Sequence, residues 1–136
     1  TLPDLVETLA QGTASAARVR DLLDAKDAGG LAAIGAAGYL PLIEAAGPYQ
    51  EAVDRLRAFD TQGALATRLG ALECIVQRIS GVAAVTLDPT ERHGFEYQSW
   101  LGFSLFAEGL SGEIGRGGTY TILHGDGREE PAVGFS

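Results

Sequence analysis

Two hydrophobic periods divide the chain: helical spacing over residues 1–80, and the alternation or short apolar runs of strands over residues 81–136. In TLPDLVETLAQG, Leu2, Leu5, Val6 and Leu9 fall on one helical face, with Pro3 in the first turn and Gly12 at the stop. SAARVRDLLDAK repeats the spacing through Val19, Leu22 and Leu23, with Ser15 in place as an N-cap. AGGLAAIGAAGYLPLIEAAG is broken by Gly35, Gly38 and Pro41, which predicts either two short, closely packed helices or a helix and a loop. GPYQEAVDRLRAF puts Pro48 at a helix start and turns Tyr49, Val53 and Leu56 inward. The best helical pattern is DTQGALATRLGALECIVQRISG. There Leu65, Leu69, Leu72, Val76 and Ile79 advance by fours and threes, Asp60 or Thr61 supplies the cap, and Gly81 ends the helix.

From residue 81 the period changes. VAAVTLDP reads as a buried strand stopped by Pro89. FEYQSWLGFSLFA alternates: Phe95, Tyr97, Leu101, Phe103 and Leu105 form an apolar face, and Glu96, Gln98, Trp100, Gly102 and Ser104 the other. EGLSG is a turn, GEIGRGGTYTIL a second strand interrupted by Gly115, Gly117 and Gly118, HGDGREEP a loop, and AVGFS a third strand. Helices followed by antiparallel strands predict an α+β fold. No internal repeat is visible.

Composition narrows the function. At 136 residues, 46% of them hydrophobic, the chain can bury one real core. Its net charge of −8 argues against nucleic-acid binding, because an acidic surface gains nothing from releasing counterions. Lys26 is the only lysine, and the arginines form no stripe. A lone cysteine, Cys74, excludes an internal disulfide and a cysteine-based zinc site; its apolar helical setting predicts plain core. No apolar run reaches membrane-spanning length and no signal peptide opens the chain, so a reducing cytoplasm is the expected setting. The missing initiator Met, and a last strand that stops at PAVGFS, predict a piece of a longer protein: one partial domain over 1–136.

The candidate chemistry lies in Arg92–Tyr120. GRGG could cradle a phosphate through backbone N–H groups, but the Lys and Ser/Thr of a phosphate loop and its following helix are missing. A bulge or hairpin is the simpler reading. His93 and His124 have no third ligand at metal-like spacing, and no nucleophile with a base partner is visible. His124 and the Glu129–Glu130 pair read as a polar, solvated loop. His93 opens the polar-faced strand. Glu96 and Gln98 point the same way and suit an ammonium or an imidazole N–H. Trp100 in the same row implies that a ligand, helix or partner covers it.

Residues from about Asp88 to Ser136 resemble the C-terminal half of a histidyl-tRNA-synthetase-type catalytic domain, of class II synthetase fold. HGFEYQSW (93–100), GGTY (117–120) and PAVGFS (131–136) stand in the order of that family's Arg-Gly-Leu-Asp-Tyr-Tyr-Thr-Gly, Gly-Gly-Arg-Tyr and Pro-Ala-Val-Gly-Phe segments. The wording is nearer to the family's regulatory branch, the regulatory subunits of short-form ATP phosphoribosyltransferase; in the helical half only LLDAKDAGGLAAI is suggestive. The resemblance implies a class II antiparallel sheet flanked by helices. It also implies a histidine pocket remnant at His93, Glu96, Tyr97, Gln98, Gly117, Gly118 and Tyr120, with free histidine as its ligand.

The departures remove chemistry. His93 replaces the arginine that handles carboxylate and phosphate, and a mostly neutral imidazole poorly replaces fixed positive charge. Gln98 replaces the second tyrosine, Trp100 a small glycine, and Thr119 an arginine. The resemblance therefore implies no catalysis, no cofactor, and a partnership with the catalytic phosphoribosyltransferase subunit in histidine biosynthesis. The alternatives are a histidine–tRNA ligase fragment and a bare protein-interaction domain. With upstream strands missing, an unpaired sheet edge predicts self-association.

Overall fold

The computed structural model describes residues 15–91 and 98–136. The chain forms two compact units that divide between Glu91 and Arg92. The helix expected over residues 1–12 lies outside the described residues.

The first unit is helical. Helix α1 (Ala16–Asp24) buries Val19, Leu22 and Leu23, as its spacing predicts. Ser15 occupies the N-cap position, but its side chain makes no capping bond. Lys26 ends α1 in the left-handed region, at φ 52°. The N–H of Lys26 bonds Leu23 O and that of Asp27 bonds Leu22 O, a closing pair that usually recruits glycine. Asp27 then caps α2 (Ala28–Ala33) by accepting from Gly30 N at 2.8 Å. Gly35, at φ 74°, closes α2 the same way, with Ala36 N on Leu31 O. A 3₁₀ turn (Ala37–Tyr39) and α3 (Leu40–Glu44) follow, so the small-residue stretch forms two short helices joined by a tight turn. Helix α4 (Tyr49–Phe59) starts after Pro48 and buries Ala52, Val53 and Leu56. Leu23, Leu31, Leu42, Ala45 and Val53 meet in one core.

Helix α5 (Ala66–Ile79) corrects two expectations. Leu65 and Leu69 are buried, but Leu72, Val76 and Ile79 are only half-buried. Cys74 is exposed rather than core. Two residues along a helix is about 200° of rotation, so Cys74 stands across the helix from Leu72. The strand expected over VAAVTLDP shrinks to β2 (Thr86–Leu87), paired antiparallel with β1 (Gly47–Pro48). Two residues of ladder bury little, and Val82 stays 87% exposed. Through this ladder the segment up to Glu91 packs with the helices rather than with the later strands.

The second unit is an antiparallel sheet of β3 (Gln98–Leu105), β4 (Gly115–Leu123) and β5 (Glu129–Phe135), in that order. Gly109 and Gly112, at φ 79° and 90°, shape the β3–β4 turn. Gly115, Gly117 and Gly118 do not interrupt β4; all three lie within its ladder. Glu129 and Glu130 begin β5 instead of belonging to a loop, because they pair with Leu123 and Ile122. His124 Nε2 lies 2.9 Å from Glu130 Oε2 and closes that hairpin. Helices followed by antiparallel strands make the chain α+β, as the hydrophobic periods predict.

Candidate functional site

His93, Glu96 and Tyr97 lie outside the described residues. The remaining candidates sit on β3 and β4, whose register decides which of them meet.

Gln98 faces Tyr120, and Tyr120 faces Ala132 on β5. Two residues along, Gly102, Gly118 and Gly134 stand opposite one another and form a row across all three strands. Side chains repeat every two residues, so Tyr120 and Ala132 share one face with the glycine row. Three adjacent glycines leave this part of the sheet as bare backbone, a trough without side chains of its own. The Tyr120 ring leans over its edge: a Cβ on Gly134 would lie 3.1 Å from Tyr120 Cε1. Across the trough, Ser104 faces Arg116, and the Glu113 carboxylate accepts from both the Ser104 hydroxyl and Arg116 Nε. Arg116 is thereby charge-paired, while the trough floor offers only small, uncharged backbone.

Gly117 lies on the opposite face. Phe103 and Phe135 flank it and stack, with centroids 6.2 Å apart and planes 11° from parallel. A Cβ there would come within 2.6 Å of Phe103 Cζ and 2.4 Å of Gly134 O. The structure thus puts Gly118 and Tyr120 on one face, with Gln98 the backbone partner of Tyr120, and leaves Gly117 to the packing of the other. Sequence reasoning passed over Gly102 and Gly134. Their signal was one glycine in each of three strands, which gains meaning only with the register.

Trp100 sits in an irregularity of β3. Four steps from Gln98 to Gly102 are answered by only two steps from Tyr120 to Gly118. Two extra residues preserve the faces, where one would exchange them. Thr119 Oγ1 accepts from the N–H of Trp100 at 3.3 Å and of Leu101 at 3.1 Å. Trp100 remains 37% exposed. Among the described residues no group of three or more His, Cys, Asp or Glu could hold a metal ion. Nor is any described helix long and apolar enough to cross a membrane.

The family model for histidyl-tRNA synthetase matches residues 1–136. The chain belongs to the histidyl-tRNA synthetase family. Its match includes the helical half, where the sequence alone carried little resemblance. Among curated relatives of this family, an ATP phosphoribosyltransferase regulatory subunit of Rhodospirillum centenum is 40% identical over 146 residues, covering 100% of this chain and 37% of that protein. The protein of the same name from Rhodospirillum rubrum is 38% identical over 141 residues, covering 98% and 36%. A third, from Paramagnetospirillum magneticum, is 39% identical over 127 residues, covering 88% and 32%. The chain thus spans about a third of the length of these relatives. No solved structure matches it. The family and branch expected from HGFEYQSW, GGTY and PAVGFS are therefore the ones found. Where the synthetase motif carries an arginine, this chain has Thr119, and its hydroxyl is engaged with the β3 backbone.

Proposed function

We propose that the chain is part of a non-catalytic regulatory subunit of ATP phosphoribosyltransferase, in the cytoplasmic biosynthesis of histidine. It pairs with the catalytic phosphoribosyltransferase subunit, supports its turnover, and relays feedback inhibition by histidine. Self-association belongs to the same reading. The observation that carries it is Thr119: at a position where the synthetase motif carries positive charge, a neutral hydroxyl binds the protein's own backbone. Stabilising an adenylate-forming transition state needs charge placed at the phosphate. The names of the relatives support the same reading. The Gln98–Tyr120 row and the glycine trough are the proposed remnant of the histidine pocket, with His93, Glu96 and Tyr97 on the segment leading into it.

The test mixes the full-length protein with the catalytic subunit and follows turnover of ATP with phosphoribosyl pyrophosphate. The expected result is a complex, faster turnover, and inhibition by histidine that needs both proteins. No complex and no change in rate would overturn the proposal. Histidine-dependent ATP–pyrophosphate exchange by the full-length protein alone would establish a ligase instead.

A further inference from the structure

From Gly102 to Leu105 the β3–β4 ladder is regular: Gly102 faces Gly118, Phe103 faces Gly117, Ser104 faces Arg116, and Leu105 faces Gly115. Continued at that register, Gln98 would face Ile122. It faces Tyr120 instead. The bulge draws Gln98 two residues along β4, roughly 7 Å at strand spacing. It therefore decides whether the backbone of Gln98 stands opposite Tyr120 or Ile122.

A bulge takes backbone N–H groups out of the ladder, and each then needs another acceptor. Here the N–H groups of Trp100 and Leu101 converge on one oxygen, Thr119 Oγ1. Thr119 lies between Gly118 and Tyr120, whose β3 partners the bulge spreads apart. We infer that Thr119 is the positioning residue of the candidate pocket: its hydroxyl holds the bulged register that sets Gln98 opposite Tyr120. This rests on the reading of that face as a histidine pocket. Thr119→Val keeps the shape and strand preference but leaves both N–H groups without this acceptor, which favours the regular register. Thr119→Ser keeps the oxygen.

The register can be read by cross-linking in the full-length protein, with Cys74→Ser and any other cysteine replaced. The pairs are Gln98→Cys with Tyr120→Cys, and Gln98→Cys with Ile122→Cys. A disulfide requires Cα atoms about 4.4–6.8 Å apart, so one register favours one pair. With Thr119 or Thr119→Ser the 98–120 pair should close on mild oxidation; with Thr119→Val the 98–122 pair should close instead. An unchanged pattern in Thr119→Val overturns the inference, and Thr119→Ala serves if the valine variant does not fold. Calorimetry with histidine, on protein without the cysteine pairs, supplies the second readout. Loss of the positioned contact should weaken binding about tenfold in Thr119→Val, with recovery in Thr119→Ser. Equal affinity in all three overturns the positioning role. If the parent protein binds no histidine, the pocket reading fails, while the cross-links still decide whether Thr119 sets the register.

Discussion

Single residues in this chain act through what they leave out. Gly117 is the clearest case. Its missing side chain lets Phe103 and Phe135 stack and lets Gly134 O approach. Gly117→Ala should cost about 1–3 kcal/mol of stability, the usual range for overpacking, measured by urea unfolding. Gly125→Ala is the control: nothing lies within 4 Å of a Cβ there and its φ is not positive, so it should stay near neutral. From the sequence GRGG reads as a bulge or hairpin, whereas the ladder runs through it unbroken and its glycines make room for neighbours. Those neighbours were not legible, because Phe103 and Phe135 reach Gly117 only through the pairing of three strands. Lys26 is the converse case: a left-handed φ at a lysine has no sequence signal, since glycine is the residue that advertises it.

At the scale of elements, period was well marked, and caps and the burial of each face less so: Ser15 makes no capping bond, and the side chain that caps α2 is Asp27. Neither cap candidate, Asp60 or Thr61, stands at the N-cap of α5. That position is Leu65, which makes no side-chain capping bond. Asp60 instead braces the turn before the helix. Its carboxylate accepts from Ala64 N at 2.8 Å and Leu65 N at 2.7 Å, just ahead of the helix. Asp60→Ala removes the acceptor of these two N–H groups and should lower stability by about 1 kcal/mol in chemical denaturation, and Thr61→Ala by much less. The stripe from Leu65 to Ile79 identified the helix, yet only its first turns are buried. Periodicity reports which side of a helix is apolar. How far along its length a neighbour covers that side depends on packing. The same limit explains β2, where VAAVTLDP has the composition of a buried strand but finds only two residues of partner. In β3 the expected alternation can be followed from Gly102 to Leu105, where the ladder is regular.

Across the helical unit, one cluster joins the end of α1 to the segment after β2. Lys26 Nζ lies 2.8 Å from Asp88 Oδ2, 3.2 Å from Thr90 Oγ1 and 3.5 Å from Glu91 Oε2. Asp88 Oδ1 accepts from both the N–H and the hydroxyl of Thr90, which is fully buried. Burial alone would raise the Asp88 carboxyl, but the bonds from Lys26 and Thr90 outweigh it and hold it below its ordinary value. Burial would likewise lower Lys26, and Asp88 and Glu91 outweigh it and raise the ammonium. A depressed carboxylate stabilises the fold above its unfolded value, near pH 4, and loses that contribution as pH falls through the folded value. A raised ammonium contributes fully below about pH 10 and loses its share as pH climbs through the folded value. The cluster should therefore act across the neutral range and fail at both ends. Asp88→Asn should cost about 1 kcal/mol at neutral pH, since the pair is partly exposed and screened. That difference should fade in acid, as read by urea unfolding over a pH series.

The sequence by itself determined the order of helices and strands and the family, because periodicity and short motifs are local properties written in consecutive residues. It also marked the departures at His93, Gln98, Trp100 and Thr119. Tertiary structure alone decided that Gly102, Gly118 and Gly134 form one row, that Gly117 serves the other face, and that Gln98 pairs with Tyr120 in the ladder. Each of these depends on register. Register is set by pairing between distant segments and by a bulge whose clasp, Thr119, lies on the neighbouring strand.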